Sequence, residues 1–212
     1  MVYLRKLIMS MIIGILTIGN GVAMDSAKLA EYETGIWKAY YAKNLEQASA
    51  NIKLSIEGLC GIEDATPILP SYLKAVGAFG NTPVDSSVEY YPETILPLVV
   101  DAYQEIKKVS RYSSFDPSEV ATRELDWWVA RRFEAKRNPE NVGDIMAEAY
   151  GLFYGGDPKD FRKSAYLRAQ AARYRDLCQD KFGGITEIDW DRIQKSLTDS
   201  YEELNVALEA KK

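Results

Sequence analysis

Three helix-start signals divide the second half of this chain. Asp116-Pro117, Asn138-Pro139 and Asp157-Pro158 each place a short polar side chain immediately before a proline. Asp or Asn at this position accepts hydrogen bonds from the free N–H groups of a first helical turn, and proline fits the first helical position because its missing N–H would be unpaired there. Apolar residues at three- and four-residue spacing follow each signal, so three helices are predicted to begin at these prolines.

Apolar residues at helical spacing also run through the rest of the chain. The other predicted helices cover residues 26–57, 67–79, 93–110 and 186–208. Gly35 is expected to weaken the first of them, and Gly58 and Gly61 to end it. Ser86-x-x-Glu89 has the pattern of a capping box. Because the sequence shows no run of alternating β-branched residues and no internal repeat, we predict an all-α fold, a single bundle-like domain of about seven helices over residues 24–212.

Residues 1–23 have the composition of a secretory signal. Arg5 and Lys6 precede a strongly apolar run, Leu7 to Gly19, and small residues follow at Gly21-Val22-Ala23. The apolar run suits a signal peptide and is short for a transmembrane helix, which needs about 20 residues. We therefore favour a cleaved signal and a periplasmic or secreted protein.

Two alternatives to a cleaved signal stay open. Residues 7–24 contain no charge, so an uncleaved segment would anchor the chain in a membrane. Alternatively, translation starts at Met24, directly before a convincing helix, and the protein is cytoplasmic. A lipid-modified N-terminus is not supported, because no cysteine follows the apolar run.

The composition excludes several classes of function. Without residues 1–23 the chain keeps 24 basic and 31 acidic residues, a net charge of −7, which does not favour nucleic acid or an anionic membrane as partners. The sequence has no histidine, and this excludes Ser-His-Asp and Cys-His catalysis, His-dependent zinc sites and His-ligated haem. No cofactor is predicted. We favour a non-catalytic protein, and catalysis by carboxylate, Tyr, Lys, Ser or Cys is left open.

The two cysteines, Cys60 and Cys178, allow two interpretations. In an oxidising compartment they would form one disulfide. Alternatively, both are small buried apolar residues on helices. We favour the second interpretation, because sequence spacing alone does not place their Cα atoms within bonding distance. The chain has no C-x-x-C motif, so thioredoxin-like redox chemistry is not expected.

Charged residues interrupt the apolar stripes of several predicted helices. Glu33 and Glu124 each lie one turn from a tryptophan, and Arg131, Arg168 and Arg175 lie on or beside similar stripes. One interpretation is structural: buried carboxylates pair with arginines and fix the register of the helices. The other is a pocket in which aromatic side chains surround an arginine, Arg131 or Arg168, that binds an anionic head group. The candidate ligand-binding residues are Glu33, Trp37, Tyr40, Glu124, Trp127, Arg131, Tyr150 and Arg168.

A second candidate chemistry is metal binding. Glu33, Glu124 and Glu148 would supply oxygen ligands for Mg²⁺ or Ca²⁺ if their helices brought them together. Asp176-x-x-x-Asp180 is similar to the aspartate motifs of isoprenoid synthases, but only one copy is present. The simpler interpretation of this pair is a solvated helix face. No metal site is therefore predicted.

Four stretches of the chain share a pattern of aromatic and charged residues. They read Glu33-x-Gly35-x-Trp37-x-x-Tyr40-Tyr41, Glu124-x-x-Trp127-Trp128-x-x-Arg131-Arg132, Ala147-x-x-Tyr150-x-x-x-Tyr154 and Leu167-Arg168-Ala169-Gln170-Ala171. Over residues 30–208 the chain resembles a group of bacterial all-helical proteins of unknown function. The resemblance implies a bacterial source and one helical domain, and it implies no activity. Several such proteins begin close to the first helix, which supports a start at Met24.

The sequence favours a non-catalytic helical protein of the bacterial cell envelope. It would bind a small amphipathic or anionic molecule, or a partner protein, through a groove lined by aromatic residues and arginine. The first alternative is a carboxylate-based enzyme, with or without a divalent metal. The second is a structural or assembly protein, for which an exposed apolar patch on the last helix would be the sign.

Overall fold

The computed structural model describes residues 25–83, 86–87, 89–110, 112–181 and 184–211, and these residues form eight α-helices and no strand. The helices are α1 (Ser26–Tyr41), α2 (Leu45–Cys60), α3 (Leu69–Asn81), α4 (Leu96–Val109), α5 (Pro117–Arg132), α6 (Pro139–Tyr154), α7 (Pro158–Lys181) and α8 (Glu187–Glu209). The all-α prediction is confirmed. The predicted signal segment, residues 1–23, lies outside the described residues.

The helix starts predicted at the three prolines and at Thr186 are confirmed. Helices α5, α6 and α7 begin at Pro117, Pro139 and Pro158, and in each the preceding Asp or Asn accepts a backbone N–H two or three residues further on. Helix α8 begins with a full capping box, in which Thr186 and Asp189 each bond to the backbone N–H of the other. Local side-chain chemistry therefore fixes where these four helices begin.

The prediction of one helix over residues 26–57 is wrong. Lys43 adopts a left-handed backbone conformation with φ of 58°, and this ends the first helical segment after Tyr41. Asn44 then caps α2, because its side chain accepts the N–H of Gln47. The apolar spacing continues across this turn, so periodicity alone did not reveal it, and the fold has one helix more than predicted.

Gly35 has a packing role where the sequence suggested only a weak point in a helix. A Cβ atom at this position would lie 2.5 Å from the side-chain amide nitrogen of Asn51 on α2. Only glycine lets the two helices approach so closely without displacing that amide. The residue therefore sets the distance between α1 and α2.

The entry to α4 also differs from the prediction. Ser86 and Glu89 do not form a capping box at a helix start. Instead, a π-helical turn over Tyr91–Ile95 leads directly into α4, and the N–H of Leu96 bonds to the carbonyl oxygen of Tyr91. Pro97 lacks an N–H group, and a local change of helical pitch beside a proline leaves fewer backbone groups unpaired.

The helices pack in chain order around one core. Each helix contacts the next along the chain, and α8 returns to pack against α1, so that the eight helices close a ring. The interior is a single cluster of apolar and aromatic side chains drawn from all eight helices. Among the described residues, no helix has both the length and the apolar composition required to cross a bilayer.

The turn at Lys43 gives a test of the break between α1 and α2. A left-handed conformation costs a non-glycine residue roughly 1 kcal/mol, so we expect Lys43→Gly to raise the free energy of unfolding by up to about that amount. The matched control is Lys74→Gly on the exposed face of α3, where glycine costs roughly 1 kcal/mol. Urea unfolding followed by circular dichroism measures both. Destabilisation by both substitutions would contradict the assigned turn.

Candidate functional site

An ion pair between Glu33 and Arg168 lies in the interior, where each side chain is only 2% exposed. It joins α1 to α7: Arg168 Nε and Nη2 donate to the Glu33 carboxylate at 2.8–3.1 Å. The hydroxyl of Tyr201 donates to Glu33 Oε2 at 2.5 Å, and that of Tyr150 accepts from Arg168 Nη1 at 3.4 Å. Four helices, α1, α6, α7 and α8, therefore contribute to one hydrogen-bonded group.

The environment of Arg168 keeps it charged. Burial alone would lower the pKa of this guanidinium, but the carboxylate of Glu33 and the phenol groups of Tyr150 and Tyr201 together outweigh that effect and raise the pKa well above its ordinary value. The guanidinium also faces the ring of Trp127, with its central carbon 5.3 Å from the ring centroid. A buried arginine held by a carboxylate and an indole has a fixed orientation.

Glu124 is the second buried carboxyl group, and it is fully enclosed. Its two oxygens accept the indole N–H groups of Trp127, at 2.9 Å, and Trp128, at 3.0 Å. The hydroxyl of Tyr103 on α4 also acts to lower the pKa of this carboxyl group. Burial raises the pKa of Glu124 to about 7, although these donors and the charge of Arg168 act to lower it.

A second charged cluster consists of Arg131, Arg175 and Asp176. Arg131 Nη2 contacts both carboxylate oxygens of Asp176, at 3.0 and 2.9 Å, and Arg175 binds the same group through Nε and Nη2. The guanidinium of Arg175 lies over the ring of Trp37, 4.5 Å from its centroid. Burial alone would raise the pKa of Asp176, but the two guanidinium groups hold it at about 2. The interpretation of Asp176 as part of a solvated face is therefore wrong.

The structure brings most of the candidate residues together. A narrow space between α1, α5, α6 and α7 is lined by Glu33, Trp37, Trp127, Arg131 and Arg168, and it is too small for a water molecule. Glu124 and Tyr150 adjoin this group through Trp127 and Arg168. Tyr40 does not line the space, and its ring packs against Tyr41, with centroids 5.3 Å apart. The predicted use of these residues in ligand binding stays a prediction.

The carboxylates proposed as metal ligands are not grouped. Glu33 is held by Arg168, whereas Glu148 has a 47% exposed side chain and pairs with Arg123. Asp180 pairs with Arg137. Among the described residues, no three carboxylate or cysteine side chains form a group that could hold a metal ion. The suggested convergence of Glu33, Glu124 and Glu148 is therefore wrong.

Both cysteines are free and buried, as the favoured interpretation predicts. Burial raises the pKa of the Cys60 thiol well above its ordinary value. It raises the pKa of Cys178 as well. Thiols with a raised pKa react slowly, because the thiolate is the nucleophile.

The sequence did not indicate an open cleft between α1, α7 and the start of α8. The cleft has a volume of about 270 Å³ and is lined by Lys38, Tyr41, Gln179, Ile185, Glu187 and Trp190. The rings of Tyr41 and Trp190 lie 6.3 Å apart. Tyr41 also interacts electrostatically with Arg131, Arg175 and Asp176, so this wall of the cleft is near the second charged cluster.

Comparisons with protein-family models, curated proteins and solved structures find no match to this chain. This result is consistent with the resemblance to a group of proteins of unknown function.

The buried ion pair predicts a large and non-additive effect on stability. Arg168→Met leaves Glu33 charged and buried, so we expect the free energy of unfolding to fall by about 3–5 kcal/mol. Adding Glu33→Gln removes that unpaired charge, and the double variant should lose less than the sum of the two single losses. Urea unfolding measures all three variants.

A matched control uses an exposed ion pair. Lys195→Met breaks the contact between Lys195 and Asp199 on the surface of α8, and it should cost less than about 1 kcal/mol. Additive losses for Glu33 and Arg168, or a loss for Arg168→Met as small as the control, would show that the interior pair does not act as a unit.

Proposed function

We propose that this chain is a non-catalytic protein that binds a small amphipathic anion in the cleft between α1, α7 and α8. The observation that carries the proposal is an aromatic cleft backed by two arginines that share one carboxylate. Tyr41, Ile185 and Trp190 give the cleft apolar and aromatic walls. Such walls bury the apolar part of a ligand, while a few placed polar groups select its charged end.

The charge behind the cleft favours an anion. Arg131 and Arg175 together carry two positive charges, and Asp176 carries one negative charge. Because these groups are largely buried, the remaining positive charge is screened less than one on the surface would be. Tyr41 lies between this cluster and the cleft, so an anion beside its ring would lie in a positive field.

The rim of the cleft combines charge with aromatic surface. Lys38 pairs with Glu187 at 2.9 Å, and its ammonium group lies 5.7 Å from the ring centroid of Trp190. A ligand with a flat or aliphatic body can therefore contact Trp190 while its charged group approaches Lys38. The closed group around Glu33 and Arg168, in contrast, is satisfied by its own hydrogen bonds and serves to hold the helices in register.

Export is part of the same proposal. Arg5, Lys6 and the apolar run from Leu7 to Gly19 support a cleaved signal and a location in the cell envelope. Fractionation of the cells that make the untagged protein, followed by immunoblotting, measures this directly. We expect the protein in the periplasm or the culture medium, and recovery of the protein in the cytoplasm would contradict export.

Binding can be tested with 8-anilinonaphthalene-1-sulfonate, an amphipathic aromatic sulfonate. We expect saturable binding of one molecule by calorimetry. Gln179→Glu adds a negative charge to the cleft without breaking an ion pair, and it should raise the Kd roughly fivefold, as expected for one nearby like charge in a partly screened site.

The matched control makes the same change on the same helix. Gln170 is exposed and does not line the cleft, so Gln170→Glu should leave the Kd unchanged. Equal effects of the two substitutions on the Kd would show that the sulfonate does not bind in this cleft. Absence of saturable binding to the native protein would overturn the proposed function.

A further inference from the structure

Groups from five other helices face Glu124 from around the core. The two indoles that bond to its carboxyl group belong to its own helix, α5. The titratable and charged groups that interact with it from elsewhere are Cys60 on α2, Tyr72 on α3, Tyr103 on α4, Tyr150 on α6 and Arg168 on α7. A change of charge at Glu124 therefore alters the electrostatic environment of groups on five other helices.

No cation among the described residues forms a salt bridge with Glu124. Arg168 is a charged group that acts electrostatically on Glu124, but its guanidinium is bound by the carboxylate of Glu33. The donors that contact Glu124 are neutral indole and phenol groups. A fully buried carboxylate without a bonded cation is costly, and protonation removes that cost.

The surroundings accommodate the protonated form as well as the ionised form. A protonated carboxyl group needs an acceptor for its own hydrogen. The hydroxyl of Tyr103 can rotate from donor to acceptor, and the buried hydroxyl of Tyr72, which interacts with Glu124, has no hydrogen-bond partner among the described residues. Hydroxyl oxygens that are able to accept that hydrogen are therefore present among the groups that interact with Glu124.

The chain has no histidine, the residue that ordinarily titrates between pH 5 and 8. We propose that Glu124, a fully buried carboxyl group bonded to two neutral indole groups, is a proton-binding site at the centre of the helical ring. The inference stands apart from ligand binding in the cleft and does not depend on it. It gives the protein a built-in response to the pH of its surroundings.

The direction of the response follows from the two states of the group. Burial raises the pKa of Glu124 from its ordinary value of 4.5 to about 7 in the folded chain. Its contribution to stability is therefore fully present below about pH 4.5 and is lost as pH rises through about 7. Asp176 is ionised throughout this window, because its pKa is held at about 2. Between these two pH values the folded chain binds one proton more than the unfolded chain. The equilibrium constant of unfolding therefore rises by up to about tenfold for each unit by which the pH increases.

The test is urea unfolding between pH 5 and 8, followed by tryptophan fluorescence, to which Trp127 and Trp128 contribute. We expect the native protein to show this dependence and Glu124→Gln, which resembles the protonated group, to lose it. The control is Glu119→Gln, an exposed glutamate on the same helix, which should keep the dependence. A native protein without the dependence, or a Glu124→Gln variant that retains it, would overturn the proposal.

A second variant keeps the proposal testable if Glu124→Gln does not fold. Tyr103→Phe removes one hydroxyl that stabilises the ionised carboxylate. The midpoint of the tryptophan fluorescence titration should therefore move to higher pH, while the titration itself remains. An unchanged midpoint would show that Glu124 is not the group that titrates.

Discussion

The buried ion pair between Glu33 and Arg168 is the constraint on which the rest of the structure depends. The two residues lie 135 positions apart and belong to helices that are not neighbours in the ring. A shift of either helix by one turn, about 5.4 Å, would leave two charges without partners in an apolar interior. The hydroxyl groups of Tyr150 and Tyr201 bond to the same pair, so α6 and α8 must also keep their positions along the helix axis. Apolar packing tolerates small slips between helices, whereas this pair specifies one arrangement.

The interior charges fall into two groups of opposite sign. When Glu124 is ionised, it and the pair of Glu33 and Arg168 carry one excess negative charge. Arg131, Arg175 and Asp176 carry one excess positive charge, and Tyr41 separates them from the open cleft. The core is therefore polarised: its negative part is enclosed by aromatic residues, and its positive part lies behind the wall of the cleft. Residues of both groups, Glu33 and Arg168 of the first and Arg131 of the second, line the same narrow space.

The sequence predicted local features well and tertiary partners poorly. Asp116, Asn138 and Thr186 identify helix starts because each cap bonds within its own first turn. The turn at Lys43 carries no such signal, since lysine rarely adopts a positive φ. Charged residues within apolar stripes correctly indicated an interior polar group, but their pairing depends on helices distant in sequence. Tyr201 looked like an ordinary core residue, and the cleft was missed because residues from three helices line it.

The closure of the ring has a consequence for how the chain acquires its structure. Glu33 lies on the first helix, Arg168 is supplied 135 residues later, and Tyr201 a further 33 residues on, at a separation of 168. Ser26 likewise receives a hydrogen bond from Asn205 near the end of α8. Until these late segments are available, the carboxylate of Glu33 has no partner to offset the cost of its burial. The first helix therefore stays hydrated and loosely packed until almost the whole chain has been synthesised. Such a chain stays incompletely folded, and accessible to a translocation channel or a chaperone, for most of its synthesis. Its interior packs completely only after the last helix has formed.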